Sequence, residues 1–172
     1  MPEFPAGFEP HHRFDYFEPG DKTALLCLDV PEMQRIVIEQ LDTLGYKVHT
    51  GLFLDDSVLK LRAQPYDLVI VSEHFAGNKL ENHAIIQEAS RLPSAQRRQL
   101  TLVLLGANCS TNDELQAFSY NVDLVVSLSD LMNLKPVLRR AVARGIELNG
   151  PLNETLAILN AEERRGMRAG EW

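Results

Sequence analysis

Four short aliphatic runs in this sequence stop on residues that can do chemistry. LLCL ends on Asp29, LVIV on Ser72-Glu73-His74, LVLL on Gly106 with Asn108 and Cys109 just beyond, and LVV on Ser127-Leu128-Ser129. A short apolar run closed by polar groups has the form of a buried parallel strand reaching the edge of its sheet. In open α/β sheets that edge is where ligands bind and reactions occur. Two carboxylates, a hydroxyl and an amide gathered there (Asp29, Glu73, Ser72, Asn108) could hold a small polar ligand, and Asp29 with Glu32 could hold a cation.

The other reactive residue types form no comparable set. His11, His12, His49, His74 and His83 lack the spacing of a zinc site, and only His74 falls at the strand edge. Cys109 follows the fourth run, with no basic neighbour in sequence to lower its pKa, so the expectation is an inert thiol. GANCST, residues 106–111, is a faint version of a phosphate-binding loop before a helix, without the glycine density or the lysine of a P-loop. No metal or cofactor is expected.

Five strands must position these edges: residues 23–29, 46–50, 66–72, 100–106 and 123–129. Between them lie helical patterns. Pro31 opens one with Met33, Ile36, Val37, Leu41 and Leu44 in helical spacing, and Gly45 closes it. A second runs over 55–64 and a third from about Leu80 to Arg91, with an extension past Pro93 through SAQRRQ. A short helix follows, capped by Ser110 or Thr111 with Glu114 completing a capping box. A longer one covers 130–148, in which Pro136 marks a kink or the true start. Gly150-Pro151 is expected to break the chain before a last helix over 150–166 with a stripe of Leu152, Leu156, Ile158 and Leu159. That helix should dock on its own domain or on a sister subunit. Strands alternating with helices specify a parallel sheet covered on both faces, here a flavodoxin-like doubly wound α/β fold.

Composition narrows the function classes. The chain has 172 residues, 45% hydrophobic and 24% charged, enough for one domain with a full core. A net charge of −7 disfavours a nucleic-acid surface, which needs clustered Lys and Arg. No run reaches the roughly 18 apolar residues of a membrane helix, and MPEFPAGFEP is no secretory signal. Cys27 in a strand and Cys109 in a loop suggest no disulfide, so a cytoplasmic setting is expected. Three parts follow: a proline- and aromatic-rich arm over 1–21, a domain over 22–147 and an extension over 148–172. The arm holds Phe4, Phe8, Phe14, Tyr16 and Phe17 among four prolines and is expected to pack somewhere, on its own domain or a partner.

Residues 22–147 resemble a bacterial response-regulator receiver domain. The resemblance rests on strand order, on LLCLD with a helix closing in LDTLGY, on YDLVIVS, and on NVDLVVSLSDLMNLKPVLRRAV. The family uses an acidic pair after the first strand, a phosphoacceptor aspartate ending the third, a Ser or Thr after the fourth and a lysine after the fifth. Here Asp29 keeps one member of the pair beside Val30. Ser72 stands at the acceptor position with Glu73 next to it, Gly106 at the hydroxyl position and Leu128 at the lysine position. Lys135-Pro136 imitates the family's Lys-Pro seven residues too late. The resemblance therefore implies a degenerate member, a pseudo-receiver without phosphotransfer, not an enzyme, working by protein contact in bacterial signalling.

A receiver's usual binding face lies between its fourth helix, fifth strand and fifth helix, here about residues 111–147. The resemblance makes Phe118, Tyr120, Leu131 and Met132 candidate anchors of a homodimer or partner contact. Arg139, Arg140 and Arg144 would form its charged rim. Three further possibilities are weighed: a fixed charge at Glu73 that mimics phosphorylation, a receiver phosphorylated through unusual residues, and a small-molecule-binding domain or enzyme using Asp29, Ser72, Glu73, Gly106 and Asn108.

Overall fold

A computed structural model of the chain describes residues 17–169, with side chains up to Glu162. Most of the proline-rich arm, with His11 and His12, lies outside the described residues. Phe17 lies within them: it stacks on His49 with ring centroids 4.0 Å apart and meets Tyr66 edge-on.

The five strands are β1 (Lys22–Cys27), β2 (Tyr46–Thr50), β3 (Leu68–Ser72), β4 (Thr101–Gly106) and β5 (Leu124–Ser127). All pairs are parallel, in the order β2-β1-β3-β4-β5. Six helices accompany them: α1 (Pro31–Thr43), α2 (Leu54–Ala63), α3 (Ala84–Ser90), α4 (Ser94–Gln99), α5 (Glu114–Tyr120) and α6 (Leu134–Ala169). The fold is the flavodoxin-like doubly wound sheet.

Strand alternation divides the core in two. Ala24, Leu26, Ile70 and Val103 face α1 and α6, where Val37, Leu41, Leu134 and Leu138 cover them. Leu25, Val69, Val71 and Leu104 face α2, α3 and α5, where Leu61, Ile85 and Ala117 cover them. Both faces being buried explains why each strand reads as continuous aliphatic sequence instead of alternating. Gly45 closes α1 at φ 80° and returns its amide to the Asp42 carbonyl, a conformation that favours glycine.

Four local expectations are corrected. The third helical stretch starts at Ala84, not Leu80, because short 3₁₀ turns occupy residues 75–77 and 80–82. Arg91 lies just beyond Ser90, where α3 ends. Neither Ser110 nor Thr111 caps α5: the Asp113 carboxylate accepts the amides of Leu115 and Gln116, both at 3.0 Å. Gly150-Pro151 does not interrupt the chain, since α6 is a single helix of 36 residues with Pro151 inside it. The proline forgoes one hydrogen bond, to a carbonyl on a turn where water can replace it. Nor does the last stretch dock on its own domain: Leu152 is 44% exposed, Ile158 61% and Leu159 50%. Pro136, by contrast, does sit at the true start, in the first turn of α6, where its missing N–H costs nothing.

Candidate functional site

The strand ends converge as the sequence indicates. Register places Cys27 beside Val71, Ser72 beside Leu105 and Gly106 beside Ser127, so all the candidate positions lie along one edge.

Asp29 is exposed and does not cap α1, whose N-terminal neighbour Val30 provides no side-chain cap. Instead, its two carboxylate oxygens accept the Ala76 amide at 3.1 and 3.2 Å. Ala76 is held at φ 53°, a left-handed conformation that costs an alanine energy and needs such an anchor. Glu32, the suggested second cation ligand, turns to Arg35 at 2.5 Å. Asp29 and Glu32 thus serve different partners.

Ser72 is half-buried, and its carbonyl accepts Nε2–H of the buried His83 at 2.9 Å. The other ring nitrogen of His83, Nδ1, is buried without a partner among the described residues. Burial holds this imidazole below its usual pKa, outweighing the Ser72 carbonyl that favours the charged form.

Glu73 makes the contact that shapes the edge. Its side chain is 13% exposed, and it crosses to β4, where Oε1 accepts the Ala107 amide at 2.9 Å. Gly106 lies directly beneath. A Cβ there would stand 2.6 Å from Cys109 Sγ and 3.0 Å from Glu73 Oε2. The glycine therefore allows Glu73 and Cys109 to close over the end of β4, where any larger residue would force the Cys109 thiol, and to a lesser degree the Glu73 carboxylate, to shift. His74, mostly solvated, keeps 3.8 Å from Glu73. Cys109 is buried, and burial with the Glu73 carboxylate pushes its thiol up; the Cys27 thiol in β1 is pushed up to about 12 by full burial. Neither thiol is activated as a nucleophile.

At the end of β5, Leu128 packs half-buried against the core between α1 and α6. Its backbone opens a 3₁₀ turn that Ser127 caps by accepting the Ser129 amide at 3.3 Å. Thr111 ties the preceding loop to this corner, since Oγ1 donates to Asp130 at 2.5 Å and accepts the Ser127 amide at 2.9 Å. The sequence offered no sign of either role.

The face made by α5, β5 and α6 is a separate region. Phe118 is 84% exposed and Met132 72%, so both lie at the surface. Tyr120 is half-buried, packed on the core beneath α5. Leu131 is corrected: at 7% exposure it belongs to the core and presents no surface. Arg139 and Arg140 are exposed. Arg144 pairs across to Glu114 at 2.6 Å. Sequence reasoning missed Leu115, 75% exposed and three residues before Phe118, although the spacing around the buried Ala117 would have revealed it. A groove of about 1220 Å³ opens below, lined by Asn112, Glu114, Leu124, Arg140 and Arg144 and reaching the N-terminal ends of β1 and β4. It lies away from the edge that carries Asp29, Ser72 and Glu73.

No family model matches the chain, and neither does any curated protein. Solved structures do. A CheY-like receiver domain protein from Methanospirillum hungatei aligns at 11% identity over 74% of this chain and 98% of that one, TM-score 0.58. The response regulator TrrA of Thermotoga maritima, solved with magnesium and beryllofluoride, aligns at 21% over 70% and 98%, TM-score 0.52. A yeast Spc42 trimeric coiled-coil segment fused to another protein aligns at 17% over 87% and 95%, TM-score 0.56. These likenesses establish a receiver-like fold. No described helix is long and apolar enough to cross a membrane.

Proposed function

We propose that the chain is a receiver-like signalling module that responds to and acts through protein contacts, without accepting a phosphoryl group. The reading rests above all on Glu73. Its carboxylate, held by the Ala107 amide over Gly106, fills the end of β4 where a receiver keeps a hydroxyl for phosphoryl oxygens. A serine at position 72 forms no acyl phosphate, Leu128 supplies no cation, and the Asp29 carboxylate already holds Ala76. Glu73 is then a fixed negative charge locked in place. A bacterial, cytoplasmic regulatory system suits the fold, and a protein partner or a second copy suits the exposed face.

Incubation with acetyl phosphate, or with beryllofluoride and magnesium, should leave the mass and the amide chemical shifts of residues 72, 106 and 128 unchanged. A stoichiometric gain in mass would sink the reading. The α5–β5–α6 face is the contact surface, with Leu115, Phe118 and Met132 as anchors and Arg139 and Arg140 as rim. Arg139→Glu with Arg140→Glu should weaken association with the partner and leave the melting temperature within a few degrees. The small-molecule alternative gains little from the structure, because the large groove lies away from the candidate edge.

A further inference from the structure

The large groove beneath α6 is long, positive in balance and widest where a glycine lines it. Its wall on that helix runs from Arg140 to Asn153, about 20 Å at 1.5 Å per residue. The Asn149 side-chain amide donates to the Arg98 carbonyl at 3.3 Å, which fastens the last turn of α4 to α6. The carboxylates of the lining are engaged by the chain itself. Asp21 pairs with Lys47 at 2.7 Å, Asp123 with Arg97 at 2.9 Å and Glu114 with Arg144 at 2.6 Å. Asp67 accepts the Thr23 amide, and Asp113 caps α5. These pairings also occupy Arg97 and Arg144, while Lys22 lies over the Tyr46 ring. Two guanidiniums are left over. The side chains of Arg98 and Arg140 bond to nothing among the described residues, and Nε of Arg98 is buried without an acceptor. Between positions 140 and 149 lies Gly145. A Cβ built on it meets nothing within 4 Å, so no tight contact calls for a glycine there. A glycine inside a helix weakens it relative to alanine, and here the missing side chain widens the groove.

We propose that the groove receives an extended acidic segment of a partner protein. This rests on the reading of the chain as a module that acts through protein contacts, and it names the chemistry of the partner. Position 140, and position 149 where α6 meets Arg98, lie about 13 Å apart along the helix. An extended chain rises about 3.3 Å per residue and turns alternate side chains to the same side. Acidic residues four apart in such a segment span that distance and face one wall, a carboxylate for each unpaired guanidinium. The residue midway between them faces the same wall over Gly145, where an apolar side chain has room beside the half-buried Val142. A helical segment fits less well, because acids four apart on a helix are separated by only about 6 Å. A small anion engages one arginine and leaves the other unpaired.

Fluorescence anisotropy of a labelled Gly-Glu-Ser-Leu-Ser-Glu-Gly peptide, titrated with the full chain, tests this. Binding should saturate, and the same peptide with both glutamates replaced by glutamine should bind about tenfold more weakly or worse. Arg140 is shared with the rim of the α5–β5–α6 face, so Arg98 on α4 is the residue that separates the two sites. Arg98→Gln should weaken peptide binding about tenfold. Gly145→Phe should abolish it by filling the groove, and because the new side chain enters open space the melting temperature should hold within a few degrees. Failure of the glutamate peptide to bind overturns the proposal, as does equal binding of the glutamine peptide or binding that survives Gly145→Phe. If partner association is nevertheless weakened by Arg139→Glu with Arg140→Glu, the contact face stands without the groove. A gain in mass from acetyl phosphate would sink the signalling reading whatever the groove binds.

Discussion

Glu73 and Gly106 are coupled across two neighbouring strands: the carboxylate lies 3.0 Å from the point where a Cβ on the glycine would stand. Together with Cys109 they make a closed corner at the end of β4. Gly106→Ser should therefore destabilise the fold by about 1–3 kcal/mol through overpacking. Urea denaturation measures it. In a double-mutant cycle Cys109→Ala should recover much of the loss, because the Cβ would meet Sγ first, at 2.6 Å. Additive effects would show that the thiol yields easily.

The same corner governs thiol reactivity. Burial and the Glu73 carboxylate both disfavour the Cys109 thiolate. A soluble disulfide reagent at pH 8 should label the native protein many times more slowly than the urea-unfolded chain. Glu73→Gln should speed native labelling. Labelling at equal rates in both states would show the corner open.

Thr111 holds the loop to β5 through two hydrogen bonds of one hydroxyl. Thr111→Val keeps the shape and removes both, leaving the Ser127 amide without its acceptor. A loss of about 1–3 kcal/mol is expected, with increased amide exchange at residues 127 and 128. Unchanged exchange there would mean that the loop is held by other contacts.

His83 introduces a pH dependence. Its pKa in the fold is lowered from 6.5, so the folded state favours the neutral ring. Above that value the residue has no effect on stability. As pH falls below 6.5 the unfolded chain takes up the proton first, and stability drops until the folded pKa is passed. The slope approaches about 1.4 kcal/mol per pH unit within that window. His83→Gln should flatten the curve just below pH 6.5, which urea titrations at a series of pH values would reveal.

The sheet was legible because each strand is buried on both faces and carries an unbroken aliphatic run. Residues 46–50 were placed to the residue. Helix ends were harder. The capping-box spacing from Thr111 to Glu114 is real in sequence, yet Thr111 is engaged with Asp130 and Ser127, which leaves Asp113 to cap. Gly150-Pro151 looked like a break because proline cannot donate, but an exposed turn tolerates one missing bond. The four strand-end positions that come together were all readable from where the runs stop. What they do there was not. That Asp29 holds Ala76, and Glu73 holds Ala107, depends on backbone amides whose directions are fixed only after the loops close. Leu131 and Phe118 had looked equivalent as apolar residues at helical positions, and only the packing of the turn after β5 separates core from surface.

The way Thr111 and Asn112 lie along β5 also decides how the sheet can grow. β5 is an outer strand, with backbone groups facing away from β4 that need partners of their own. The Asn112 amide takes the Val125 carbonyl at 3.1 Å, and Thr111 takes the Ser127 amide. An extended peptide seeking to add itself as a sixth strand finds that border already engaged by the chain's own loop. At the opposite border, β2, the protection is of another kind: Lys47 stands exposed there, paired with Asp21 at 2.7 Å, and a charge on an edge strand opposes the docking of a further strand.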